Sequence, residues 1–390
     1  MTAPEIKQDG DIKTYNNIDI KTITAKHIGT DPNFKLKVYW PNALGFLFLH
    51  IMALVGFYYF VTGQTNWKTN LFAVFILLCS SEGVTMGAHR LYAHKSFKAH
   101  PLLRAVLLIL QTVAGQNCMY IWVRDHRLHH RYSDTDGDPH NSKRGFFFSH
   151  IGWLMIRKHP LIKELGSNID LSDLEADWMV MFQKNHYKKL YFIFAIGIPV
   201  LVPVFFFNEH WYNSLLVSYF FRYMFQLNGT WLVNSAAHLY GTRPYDNNLQ
   251  PVENWFVSML SLGEGWHNYH HAFPWDYKAA ELSMHFNQTA SIIRFLERIG
   301  FAYDLKSASP EMVKNRIVKL GDGTHYELGN DEARSAVTVS IGPLHPLNPS
   351  YNTTQKAPET VLKPHGLPLF HEDDIMKDIT LGPRRRNPAS

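Results

Sequence analysis

Nine histidines in this chain stand at spacings that suit metal coordination rather than scattered surface use. His89 and His94 lie in the run HRLYAH, His126, His129 and His130 in HRLHH, and His267, His270 and His271 in HNYHH; His238 closes NSAAH, four residues after Asn234. Residues three and four apart are neighbours on a helix, so each triplet can aim at a common point. His89 and His94, five apart, fall about 140° around an ideal helix, which predicts either a helix end between them or two separate targets. Neutral imidazole is the commonest metal ligand, and nine imidazoles exceed the needs of one ion. Two ions follow. With no cysteine among the donors, iron–sulfur clusters and structural zinc are disfavoured, and redox-active iron fits best. Isolated histidines such as His140 and His150 read as surface or satisfied core residues.

The elements that must hold these residues are membrane helices. Apolar runs cover residues 44–61, 71–88, 190–207 and 211–233, each near the length needed to cross hydrocarbon. Lys68 is the sole basic residue in the link between the first two runs, and Asn208, Glu209 and His210 join the last two. Residues 1–40 hold 6 Lys and Arg, residues 89–189 hold 15, and residues 236–390 hold 15. By the positive-inside rule both termini and the long middle segment are cytoplasmic. A fifth apolar stretch, residues 102–114, is short and carries Arg104 and Gln111. Crossing there would separate the first histidine box from the second, so it is assigned to an interfacial or re-entrant helix. The expected fold is an all-α integral membrane protein with four transmembrane helices in two hairpins and a cytoplasmic helical cap carrying a di-metal site.

The domain reading is a cytoplasmic N-terminal segment (1–40), a membrane domain with its catalytic cap (41–300), an extension of the cap (301–340) and a flexible proline-containing tail (341–390). The start has no basic, apolar and small-residue order of a cleaved signal. A net charge of +5 gives no reason to expect nucleic acid, and two cysteines exclude a disulfide scaffold. The two hairpins differ in sequence, against a transporter built from inverted repeats. A metal or heme transporter would also string polar residues along its spans, whereas here the histidines gather after them.

HRLYAH, HRLHH and HNYHH, together with NSAAH and a closing GDGTH at residues 321–325, resemble the three-box membrane fatty acyl-CoA desaturases of the stearoyl-CoA and insect acyl-CoA type. The likeness runs over residues 38–325. It implies that the nine histidines bind two Fe2+ ions, with Asn234 contributing through water, and that O2 is a co-substrate. It implies an acyl-CoA held by Asn42, Asn117, Trp122, Arg124, Asp125, Arg157 and Lys158, with Trp231 beside the acyl chain. Electrons would come from cytochrome b5 and its NADH-dependent reductase, in the endoplasmic reticulum membrane. Overproduced protein is expected to take up zinc, which competes well for imidazole sites.

The expected reaction inserts one cis double bond into a saturated fatty acyl-CoA. Gln250–Pro251–Val252–Glu253 resembles a tetrapeptide of moth Δ9 enzymes, pointing to Δ9 rather than Δ11. A hydroxylase or a conjugating desaturase on the same di-iron scaffold is the nearest alternative. Leu77, Ser81 and Glu82 are placed at the closed end of the acyl tunnel, Glu82 departing from the small or apolar residues of the family. Arg222, in mid-span, is expected to pair with Glu82. The sequon at Asn228 is discounted because it lies within a span.

Overall fold

The computed structural model describes residues 25–281, 286–331 and 333, with two short paired strands at Gln8–Asp9 and Ile12–Lys13. The tail 341–390 lies outside the described residues, as does most of the segment before residue 25.

Three helices are long and apolar enough to cross a membrane: α1, Trp40–Val61; α2, Trp67–Ala93; and, later in the chain, Trp178–Phe207. Between α2 and that third helix come α3, Pro101–Ala114, and α4, Met119–Tyr132; the third long helix is therefore α5. The fourth expected span is a continuous helix, α6, over residues 211–234. Arg222, Gln226 and Asn228 make α6 the most polar of the four, and it packs inside them. Leu216, Val217 and Met224 on it are fully or almost fully buried, whereas Leu44, Leu54 and Phe57 of α1 face outward. Exposed apolar surface of that extent on long helices belongs in lipid.

The hairpin tips meet at one end. Glu209 Oε2 accepts from Asn66 N at 2.7 Å and from Thr69 Oγ1 at 2.9 Å, and Asn213 Nδ2 donates to Gln64 O at 3.1 Å. The histidines lie at the other end. Close helix approach depends on two glycines: a Cβ at Gly56 would fall 2.2 Å from Leu216 O, and one at Gly83 2.3 Å from Gln111 N.

The stretch assigned to an interfacial helix, α3, runs against the end of α2 and then turns by 83° into α4. Gly115, at φ 69°, supplies the left-handed residue that ends α3. Because α4 carries the second histidine box back to the first, α3 does not separate them.

The expected pairing of Arg222 with Glu82 is not found. Arg222 donates instead to Ser218 O at 2.9 Å, Ala195 O at 3.2 Å, Val113 O at 3.3 Å and Gln226 Oε1 at 3.3 Å. Two of those carbonyls belong to π-helical stretches, Phe192–Gly197 and Leu215–Phe221. A π turn shifts the backbone hydrogen-bond ladder and frees carbonyls, so a buried guanidinium can be satisfied by backbone alone. Glu82 binds the hydroxyls of Thr85 and Thr289.

The cap is completed by α7, Trp255–Leu260, α8, His267–Ala272, α9, Gln288–Arg298, and α10, Pro310–Leu320. Val313 and Ile317 of α10 pack on Tyr245, Tyr269 and Phe273.

Candidate di-metal centre

The last turns of α2, Gly83–Ala93, are π-helical, and His94 N donates back five residues to His89 O at 3.1 Å. This geometry answers the 140° problem. An i to i+5 ladder brings residues five apart to the same side, and the two rings lie 4.9 Å apart.

The two triplets do not each serve one point. His126 and His130, four apart on α4, join His89, His94 and His270, while His129 turns to His238, His267 and His271. On α8 likewise, the i, i+4 pair His267 and His271 stays together and His270 crosses to the other group. A step of four residues rotates a helix by about 40° and a step of three by about 60° the other way, so the i+3 residue is the one that diverges. Within each group the offered nitrogens lie within 4.8 Å of one another.

Nitrogens about 2.1 Å from one ion stand about 3.0 Å apart at right angles and about 3.4 Å apart in a tetrahedron. In the five-histidine group the Nε2 contacts are 3.0 Å (His89–His270), 2.8 Å (His94–His126) and 3.0 Å (His130–His270). In the four-histidine group they are 3.3 Å (His129–His271) and 3.2 Å (His267–His271). His238 Nε2 is buried without a partner among the described residues. Both sets of spacings are those of nitrogens that could share one ion. The groups adjoin, with the rings of His130 and His271 stacked at 4.1 Å.

Burial holds His94, His126, His130, His267, His270 and His271 well below the ordinary imidazole range, leaving them neutral donors. Carboxylates behind the rings orient three others. Glu264 lies 2.8 Å from His89 Nδ1 and holds Arg90 at 2.8 Å; Asp138 lies 2.8 Å from His129 Nδ1, and Asp134 3.1 Å from His238 Nδ1. Although burial opposes ionisation of Glu264, Arg90 and His89 hold it down at about 2. For His129 burial also works against charge, but Asp138 prevails and raises it. A carboxylate on Nδ1 fixes the tautomer and strengthens Nε2 as a donor.

Sequence reasoning missed these carboxylates, although SDTDGDPHN follows the second box and GEG precedes the third. His140, expected as a surface or satisfied core residue, is a core one: it is buried 3.4 Å from Asp138 and forms a third convergent set with His129 and Asp138. His150 is likewise bound, between Ser235 Oγ at 3.0 Å and Asn228 Oδ1 at 3.1 Å.

Two cavities run to this centre. The outer one, about 440 Å³, is lined by Asn42, Asn117, Trp122, Asp125, Trp231 and Asn234 among others. Arg124, Arg157 and Lys158 do not line it; Arg124 and Lys158 bind Asp125, each at 2.7 Å, and Arg157 lies over the Tyr39 ring. The inner cavity, about 210 Å³, has Leu77 and Ser81 in its wall; Glu82, expected there too, does not line it, its carboxylate being taken by the hydroxyls of Thr85 and Thr289. Both cavities share Trp122, His126, Thr230 and Asn234. At that junction Gln116 Nε2 donates to Thr230 Oγ1 at 2.8 Å, Trp122 Nε1 donates to Gln116 Oε1 at 3.3 Å, and the Trp122 ring stacks on His126.

A helical membrane protein with convergent imidazoles at the junction of an elongated cavity is thus the class defined by fold and site. The fatty acid desaturase family model matches residues 65–299. An acyl-CoA Delta-9 desaturase of Acheta domesticus is 50% identical over 76% of this chain and 82% of its own length. An acyl-CoA Delta12-desaturase of the same species is 49% identical over 75% and 82%. The stearoyl-CoA desaturase of Homo sapiens is 47% identical over 83% and 86%. The chain belongs to the fatty acid desaturase family.

Proposed function

We propose that this protein is an acyl-CoA desaturase of the endoplasmic reticulum membrane, introducing a cis double bond at Δ9 of a saturated fatty acyl-CoA. The observation that carries this reading is the convergence of nine imidazoles on two points beside an elongated, mostly apolar cavity. A saturated methylene offers nothing to an acid, base or nucleophile. The five- and four-histidine groups would hold two iron ions, which with O2 would supply the oxidant that such a carbon requires. The balance is one acyl-CoA, O2, two electrons and two protons giving one unsaturated acyl-CoA and two waters.

The chain's own residues position and exclude. Asn42, Asn117, Trp122 and Asp125 receive the CoA end, with Arg124, Arg157 and Lys158 at the rim as phosphate partners. Holding the head at the rim sets which carbons lie at the junction beside His126. There Gln116, bonded to Trp122 and Thr230, stands at the junction, where a bend in the path of the acyl chain would favour a cis product. Asn234 orients water toward the four-histidine group. Electrons come from cytochrome b5, and both termini, the cap and the tail 341–390 lie on the cytoplasmic side, as the Lys and Arg distribution supports.

The Delta-9 and Delta12 relatives differ by only 1% in identity to this chain, so overall likeness does not select the position; the Gln250–Glu253 run favours Δ9. Purified protein with cytochrome b5, its reductase and stearoyl-CoA should yield the cis-Δ9 product, located by mass spectrometry. Hydroxylated product, or a double bond elsewhere, contradicts the reading.

A further inference from the structure

The inner cavity is not uniformly apolar. Leu77, Leu78 and Phe225 give it an apolar wall, yet Gln226 of α6 also faces it. Gln226 is 4% exposed. Its Oε1 accepts from Ser80 Oγ at 2.9 Å and from Arg222 Nη1 at 3.3 Å. Because a guanidinium only donates, this contact fixes which end of the amide is oxygen. The Nε2 group is thereby aimed away from both, and among the described residues it has no hydrogen-bond partner. Gln226 lies eight residues before Asn234, about 12 Å further along the helix from the histidines.

A buried donor without an acceptor is unfavourable, and a polar cavity satisfies it with water when two or more polar groups converge. Ser81, Thr85 and Thr230 line the same cavity; each hydroxyl donates to a backbone carbonyl, which leaves its oxygen as an acceptor for water. A saturated acyl chain has no acceptor to offer.

We propose that Gln226 is a specificity-determining residue: its amide N–H holds an ordered water in the inner cavity, ending the apolar part of the tunnel at that depth and selecting shorter over longer saturated acyl chains. Ser80 and Arg222 are positioning residues, acting through Gln226. A chain that stops short of Gln226 leaves the water in place. A longer chain must displace it and strand the donor. The inference rests on the desaturase reading above and adds to it the feature that limits chain length.

The test is competition among C14, C16 and C18 acyl-CoA by purified protein with its electron donors, comparing wild type, Gln226→Met and Gln226→Glu. Met keeps the length and removes the donor, and should raise the C18 to C14 product ratio roughly tenfold, the scale of discrimination by a buried methylene. Glu keeps a water-binding group in the cavity and should not raise the ratio. Ser80→Ala, which releases the amide, should move it in the same direction as Met and stands in if Gln226→Met does not yield folded, monodisperse protein. An unchanged ratio in Met, or in Ser80→Ala where Met does not fold, overturns the proposal. If wild type converts none of the three, it is the functional reading that fails, not this one alone.

Discussion

The Nε2 atom of His89, on the last turns of the second membrane helix, lies 3.0 Å from Nε2 of His270, on a short cap helix 181 residues further along the chain. Two imidazole nitrogens at that distance, each with further histidines around it, are arranged for something that accepts both lone pairs. The long-range closure means that the site assembles only when membrane helices and cap are both in place.

Since the HNYHH box is split between the two groups, single substitutions in it should remove different ions. His270→Ala is expected to weaken the five-histidine group and His271→Ala the four-histidine group, each lowering bound metal from about two to about one per chain. Elemental analysis of both variants, normalised to protein, checks this. Loss of both ions in either variant would mean that the groups do not act as separate sites.

Asp138 touches no substrate, yet it lies 2.8 Å from His129 Nδ1. Asp138→Asn should keep the protein folded and lower metal affinity or activity about 10–100-fold. Chelator competition measured beside turnover separates the two effects; wild-type behaviour in both would make the contact incidental.

Glu264 joins Arg90 and His89 in a buried cluster. Glu264→Ala leaves the buried Arg90 guanidinium with no carboxylate, only the carbonyls of Tyr277 and Lys278 and Asn287 Oδ1 as acceptors, and should cost about 3–5 kcal/mol of stability. The paired change Arg90→Met with Glu264→Ala should cost less than Glu264→Ala alone, read from thermal unfolding in detergent. A larger loss in the double variant would show that those remaining acceptors satisfy Arg90 without Glu264.

The two ends of the cavity should govern different observables. If Arg157 and Lys158 meet the CoA phosphates as proposed, Arg157→Ala with Lys158→Ala removes charge-assisted contacts of about 1.5–3 kcal/mol each, raising KM and leaving the double-bond position unchanged. Leu77→Trp or Ser81→Trp should shift preference to shorter chains at the same position. A double bond moved by the rim variant would break the head-anchored register.

The sequence made much of this arrangement legible because its signals are local. The histidine spacings marked the ligands, though each triplet was expected to serve one point and is instead split between two groups, and the runs of apolar residues marked the helices. What it left hidden depends on backbone departures. His89 and His94 converge only because Gly83–Ala93 is π-helical, and Arg222 needs no carboxylate because two further π segments expose carbonyls to it. Asp134, Asp138 and Glu264 stayed unassigned because a lone carboxylate carries no period, and only the fold brings each behind its histidine.

The most direct test of the account is expression in a desaturase-deficient yeast, with mass spectrometry of double-bond positions in its lipids. The account predicts a cis-Δ9 monounsaturated acyl product with wild type, and none with His129→Ala or His270→Ala although both variants remain in the membrane fraction. A double bond formed equally well with both histidines removed, or no unsaturated product from iron-loaded wild type, would contradict it.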